Sequence, residues 1–306
     1  MERVLSLQSF KGRLTLNLPI SLPESKWAIL DQLVGALSQV RGIEAVVLGG
    51  SYARGTAREA SDLDIGLYYF EDAPFAIADV RRIADAVSVH GNPVVTDFYE
   101  WGAWVNGGAW IHTAAGKVDF LYRNLDQVER TIEEASQGIL RHDYLQQPPF
   151  GFYNVIYLAE THICVPLYDP DGHIARLKRR VEPYPPKLKA GIVQELLWIA
   201  EFTLMSARNY AAAADVYNTI GCLTRVASVL TQVLFALNER YFISDKKALD
   251  EIALFECVPL RYTAQIRAIL AYPGATSEEL GYTVSALASV WQSVVALPGT
   301  EYQSKV

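Results

Sequence analysis

Two carboxylates set two residues apart at the head of an apolar run constrain this chain more than any other feature. The stretch Ser61-Asp62-Leu63-Asp64-Ile65-Gly66-Leu67 reads as the start of a strand. Strand side chains alternate between faces, so Asp62 and Asp64 point the same way. Packing does not explain them, because two adjacent acids on one strand face add nothing to a core. Held together they repel, each raising the other's pKa, and an ionised pair calls for a compensating cation such as Mg²⁺.

The residues just upstream belong to the same device. Ile43-Glu44-Ala45-Val46-Val47-Leu48 reads as a short buried strand that runs into Gly49-Gly50-Ser51-Tyr52-Ala53-Arg54-Gly55. The glycines remove Cβ atoms where a ligand must approach the backbone. Ser51 is expected to N-cap a short helix through Arg54, leaving amide N–H groups and a hydroxyl aimed at an anion, with Arg54 adding positive charge. A glycine pair before a helix is by itself a tight turn. Strand, Gly-Gly-Ser, short helix and Asp-x-Asp in succession point to chemistry on a nucleoside triphosphate.

At these residues the chain resembles the DNA polymerase β-like nucleotidyltransferase superfamily, whose pattern is Gly-Gly/Ser-Ser, a spacer and Asp-x-Asp. The resemblance covers roughly residues 43 to 125. It implies that Gly50 and Ser51 hold the triphosphate, to which the reading of the residues adds Gly49 and Arg54, and that Asp62 and Asp64, with a third acid from a later strand, hold two Mg²⁺ ions and form the catalytic set. Asp119, in Val118-Asp119-Phe120-Leu121-Tyr122-Arg123, is the preferred third acid, and Asp97, in Val94-Val95-Thr96-Asp97-Phe98-Tyr99, is its rival. The implied activity is Mg²⁺-dependent transfer of a nucleoside monophosphate, AMP from ATP in the first instance, to a hydroxyl of a small molecule such as an aminoglycoside-like antibiotic. An RNA-end or protein acceptor, or a non-catalytic nucleotide-binding role, stand as alternatives.

Composition bounds the remainder. The chain has 306 residues, 51% of them hydrophobic and 20% charged, enough for two globular domains and too apolar for widespread disorder. A net charge of −7 disfavours broad binding to nucleic-acid backbones and suits a cationic acceptor better. Cys164, Cys222 and Cys257 are far apart and odd in number, which reads as free thiols in a reducing compartment. The N-terminal residues show no secretory signal, and the expected location is cytoplasmic. Leu280 to Thr300 carries no charge, yet its serines, threonine and proline suit a closing core helix and not a membrane span.

The expected architecture is α+β: an N-terminal mixed sheet with flanking helices at residues 1–146 and a helical bundle at 147–306, divided near Gln146-Gln147-Pro148-Pro149. The first 20 residues permit a hairpin around Lys11-Gly12. Helices are expected at about 24–40, 74–88 and 125–138, strands at 43–48, 94–99, 109–112 and 117–122. From residue 152 on the signals are 3.6-periodic, with helices at about 152–164, 172–181, 185–213, 215–240, 245–256, 259–271 and 276–296. Trp101 to Trp110 forms an aromatic loop that either packs under a hairpin or walls a ligand pocket. In the helical half, Lys246 and Lys247 are candidates for the triphosphate, and Glu160 and Asp215 for acceptor-side bases. Arg176 to Arg180 is the one evident RNA-contact candidate, and no histidine is given a chemical role.

Overall fold

The computed structural model describes residues 5–7, 14–16 and 22–305. The chain begins with two paired antiparallel strands, β1 (Leu5–Leu7) and β2 (Leu14–Leu16), and the Lys11-Gly12 turn expected between them lies outside the described residues. There follow α1 (Glu24–Leu37), β3 (Ala45–Leu48), α2 (Gly50–Arg54), β4 (Leu63–Tyr69), α3 (Ile77–Val87), β5 (Val94–Val95), β6 (Gly108–Thr113), β7 (Gly116–Asn124) and α4 (Leu125–Ser136). Next come β8 (His142–Asp143), β9 (Phe152–Tyr153), α5 (Val155–Ile163), β10 (Val165–Tyr168) and α6 (His173–Val181). The chain closes with α7 (Pro186–Ala212), α8 (Val216–Leu237), α9 (Ala248–Ile252), α10 (Tyr262–Ala271) and α11 (Ser277–Val295). The class is α+β, a mixed sheet with helices followed by a helical region.

Six strands make the main sheet in the order β10-β3-β4-β7-β6-β5, with β4 and β7 parallel and every other neighbouring pair antiparallel. Alternation sorts its side chains. Val46, Leu48, Leu63, Ile65, Ala109, Ile111, Val118 and Phe120 are buried and form one core with Leu30, Leu33 and Leu37 of α1 and Val80 and Ala84 of α3. Asp64, Trp110 and Asp119 sit between these positions and so belong to the opposite face. At its far end that face is closed by α5. There Arg123 of β7, 5% exposed, is gripped by both carboxylate oxygens of Glu160, at 2.6 Å (Nε–Oε2) and 2.7 Å (Nη2–Oε1).

Glu160 is therefore an anchor, and the reading of it as an acceptor-side base is corrected. Glu160→Ala would leave a buried guanidinium unpaired, a loss of about 3–5 kcal/mol. Urea denaturation should show it as a lower midpoint, and an unchanged midpoint would contradict the anchoring role.

Contacts divide the chain into two compact units that interleave in sequence: Met1–Ile132 with Tyr157–Pro183, and Glu133–Ile156 with Tyr184–Val306. In place of the single cut expected at 146, the chain passes between the units three times. The cause is β10, a strand within a stretch read as purely helical: Val165-Pro166-Leu167-Tyr168 pairs with β3 and completes the sheet edge. Two other helical readings shorten. Phe152 and Tyr153 pair with His142 and Asp143 before α5 begins, and of 245–256 only Ala248–Ile252 is α-helical.

The second unit is built on α7, α8, α10 and α11. Val226 through Leu237 of α8 are buried in succession, so this helix is a core element on all sides. Among the described residues it alone is long and apolar enough to cross a membrane, and 72% of its apolar window is buried within the protein. The C-terminal segment docks on the same unit, where the Tyr302 hydroxyl donates to Glu201 at 2.7 Å. Asp215 caps α8 by accepting from the Asn218 amide at 3.1 Å, which accounts for it without an acceptor-side role. This unit also holds a cavity of about 640 Å³ whose lining includes His142, Tyr153, Glu195 and Arg225. All three cysteines are free.

Candidate active site

The site is assembled by strand register. β4 and β7 run parallel with Asp64 directly opposite Asp119, and Asp62, just before β4 begins, is near enough for its charge to act on Asp119. Asp64 and Asp119 are both partly exposed, as expected for side chains on the open half of that face. The rival acid does not join them. Strand β5 ends at Val95, and Asp97 lies beyond it, exposed, past β6 from β7.

β3 brings the glycines to the acids. Its antiparallel pairing places Leu48 opposite Ile65, and the Gly49 amide donates to the Asp64 carbonyl at 2.8 Å. Gly50 then turns into α2 with φ +58°, and a Cβ there would stand 1.7 Å from Asp64 Oδ2. Only glycine combines that conformation with so close an approach. The expected cap is corrected in detail: Gly49 occupies the N-cap position of α2 with no side-chain hydrogen bond, which leaves Ser51 inside the first turn. Gly49 has no side chain with which to cap, so the first amides of α2 are left without a side-chain acceptor from the N-cap residue. Arg54 lies in the last turn of α2 and is partly exposed.

Electrostatics mark Asp119. Burial pushes its carboxyl above the ordinary range and the charge of Asp62 adds to the rise, while Lys117 and His112 act in the opposite direction. Three carboxylates offer only hard oxygen donors, a set that fits Mg²⁺. The tightest group of metal-ligating side chains among the described residues is a different one. Glu44, Asp171 and His173 bring their ligand atoms within 4.8 Å of one another. That group lies at the other end of β3, and Arg176 Nη2 stands 2.9 Å from His173 Nδ1, so a fixed positive charge already faces it. We assign it no metal.

Residues 30–105 match the nucleotidyltransferase domain family. Over this stretch the chain is similar to nucleotidyltransferase domains, in line with its resemblance to the polymerase β-like superfamily. The matched stretch includes the Gly49–Ser51 turn and both acids of the Asp-x-Asp pair and ends before Asp119, which is placed by register alone. Among solved structures the chain is similar to a nucleotidyltransferase-like protein from Exiguobacterium sibiricum 255-15, at 8% identity with a TM-score of 0.44, over 89% of this chain and 75% of that one. None of the curated proteins compared with the chain matches it.

Sequence reasoning missed Lys26, which lies just before the matched stretch. It shares the buried stripe of α1 with Leu30, Leu33 and Leu37 and is only 5% exposed. Its ammonium donates to the Ser61 carbonyl at 2.6 Å, one residue before Asp62, and stands 5.5 Å from the Tyr52 ring centroid of α2. One buried cation thus ties the acidic loop to the glycine turn. The available signal was a lysine in phase with three leucines of an amphipathic helix, where a charge needs a specific partner. Lys26→Met should cost about 1–3 kcal/mol, because the Ser61 carbonyl loses its donor. Nucleotide affinity, measured by calorimetry, should fall with it. Unchanged stability and affinity would remove Lys26 from the site.

The other candidates separate by position. Lys246 and Lys247 are exposed and belong to the second unit, just before α9. In the basic cluster Lys178 is engaged, its ammonium donating to the carbonyls of His162 at 2.6 Å and Cys164 at 2.7 Å, while Arg176 pairs with Glu129 at 3.2 Å. These contacts fasten α6 to its neighbours in the first unit.

Proposed function

We propose that this protein transfers a nucleoside monophosphate from a nucleoside triphosphate to an acceptor hydroxyl, with Asp62, Asp64 and Asp119 as its catalytic acids. The observation that carries the proposal is the register of Asp64 opposite Asp119 with Gly50 packed against the Asp64 carboxylate. Asp62, Asp64 and Asp119 would hold Mg²⁺. When bound, Mg²⁺ neutralises charge on the phosphates and acidifies the acceptor hydroxyl. The backbone of Gly49 and Gly50 and the Ser51 hydroxyl orient the β- and γ-phosphates, and Arg54 adds charge on that side.

The reaction balances with no further reagent. A bond forms between the acceptor oxygen and the α-phosphorus, and the bond from that phosphorus to the α–β bridging oxygen breaks. Pyrophosphate departs with the electron pair. The hydroxyl proton goes to Asp119, the carboxylate we place beside the acceptor.

A small hydroxyl-bearing molecule, in a cytoplasmic setting, is the acceptor we favour over a long nucleic acid for a chain of net charge −7. The test is incubation with α-labelled ATP, Mg²⁺ and separate pools of aminoglycosides, sugar phosphates and nucleotides, tRNA and protein. Label should move to one pool with release of pyrophosphate, and a chelator should stop it. Absence of transfer to every pool would reduce the protein to a nucleotide binder.

A further inference from the structure

Strand order assigns the two substrates to opposite sides of the acids. The glycine turn and α2 lie on the β3 side of β4, whereas β7 and then β6 lie on the other. In-line displacement sends pyrophosphate away from the attacking oxygen. With the triphosphate held by the glycine turn, the acceptor comes in over β7 and β6.

Those strands present an unusual surface. Trp110 of β6 is the register partner of Asp119 and shares its face, and Trp101 from the preceding loop stacks on Trp110 with ring centroids 4.0 Å apart at 25°. Trp101 is 46% exposed, so the stack is open to a ligand. Two residues from Trp110 and Asp119 along the same strands stand His112 and Lys117, themselves register partners, and both exposed. No described residue forms a hydrogen bond or ion pair with either side chain. His90 lies against His112, ring centroids 5.7 Å apart. The surface beside the third acid is thus aromatic and basic, although the chain as a whole is acidic.

We propose that this surface is the acceptor subsite and that it takes a phosphorylated, ring-bearing acceptor of the nucleotide type, with its ring on Trp101–Trp110, its phosphate on Lys117 and His112, and its hydroxyl at Asp119. The proposal rests on the transfer reading for its orientation. Stacking of a base on an exposed indole is worth about 1–3 kcal/mol, and an unpaired lysine supplies the complementary charge. Such an acceptor exists in two forms, a free mononucleotide and the 3′-terminal nucleotide of an RNA. A polycationic acceptor would meet repulsion from Lys117 at this position.

Tryptophan fluorescence tests it without turnover. With the donor site filled by a non-hydrolysable ATP analogue and Mg²⁺, uridine 5′-monophosphate should quench emission, and uridine should bind at least about 10-fold more weakly. Lys117→Ala should erase that preference while leaving ATP-analogue affinity unchanged, and Trp101→Ala should remove most of the quench. A short single-stranded RNA with a free 3′-hydroxyl is titrated in parallel. Tighter binding of the RNA identifies the RNA end as the source, and tighter binding of the monophosphate identifies the free nucleotide. Equal affinity for uridine and its monophosphate, or a Lys117→Ala variant that keeps the preference, overturns the subsite. Failure of the ATP analogue to bind would instead count against the transfer reading, with the subsite still judged by the monophosphate titration.

Discussion

Asp64→Asn should abolish nucleotidyl transfer while leaving the fold intact. The substitution keeps the size of the side chain, exchanges one acceptor oxygen for an amide NH2 and removes one charge from a partly exposed position, so no cavity opens. A loss on the order of 10³-fold or more in kcat is expected, since preorganised charge at a phosphoryl centre is commonly the largest catalytic contribution. Asp119→Asn should lose transfer as well and, in metal-free buffer, should raise the melting temperature. Burial and the charge of Asp62 lift the Asp119 carboxyl above its unfolded value, so the folded chain holds that proton more tightly. The resulting penalty is absent below the unfolded pKa and grows as pH rises through the folded one, so at pH 7 the amide avoids it. Scanning calorimetry and transfer assays on both variants check the claim. Normal transfer by folded Asp64→Asn would end the assignment.

Gly50→Ala should be nearly as damaging by an independent route. The new methyl would sit 1.7 Å from Asp64 Oδ2, and the Gly50 φ of +58° is a conformation that costs an L-residue about 1–2 kcal/mol. Both strains relax in the same way, by moving the turn and the Asp64 carboxylate apart. A misplacement near 1 Å costs about 10²-fold in rate, so kcat should fall by that order together with a lower melting temperature. Gly49→Ala is the matched control. There a Cβ would meet nothing closer than 3.7 Å, and a much smaller effect is expected. Equal activity of the two variants would show that the close packing of Gly50 on Asp64 does not serve catalysis.

How far this site was legible depends on which bonds define each part. Gly49-Gly50-Ser51 and Asp62-x-Asp64 lie within 16 residues of one another, and each element there, strand, turn and short helix, is specified by its own neighbours. The assignment of Ser51 as cap went wrong by two residues, because the choice between Ser51 and Gly49 depends on where β3 stops pairing with β4. Asp119 over Asp97 could be favoured from an alternating run and decided only by register, since a parallel pair joined across about fifty residues leaves no trace in local pattern. Lys117 and His112 look like ordinary surface residues in the sequence. Their importance comes from being opposite each other and two residues from Trp110 and Asp119.

The division of the chain shows the same limit on a larger scale. Val165-Pro166-Leu167-Tyr168 sits among helical signals, and its strand character comes from the open edge of β3, which supplies hydrogen-bond partners that no residue nearby in sequence provides. By itself, then, the sequence determined the α+β class, the glycine turn, the acidic pair and the superfamily, because side-chain alternation and glycine conformation are local properties. Tertiary structure alone decided which acid stands opposite Asp64, that Lys26 and the Trp110–His112 surface lie nearby, and that the chain crosses between its two units three times. Those are facts about strand pairing across long separations, where the free energy is won by neighbours distant along the chain.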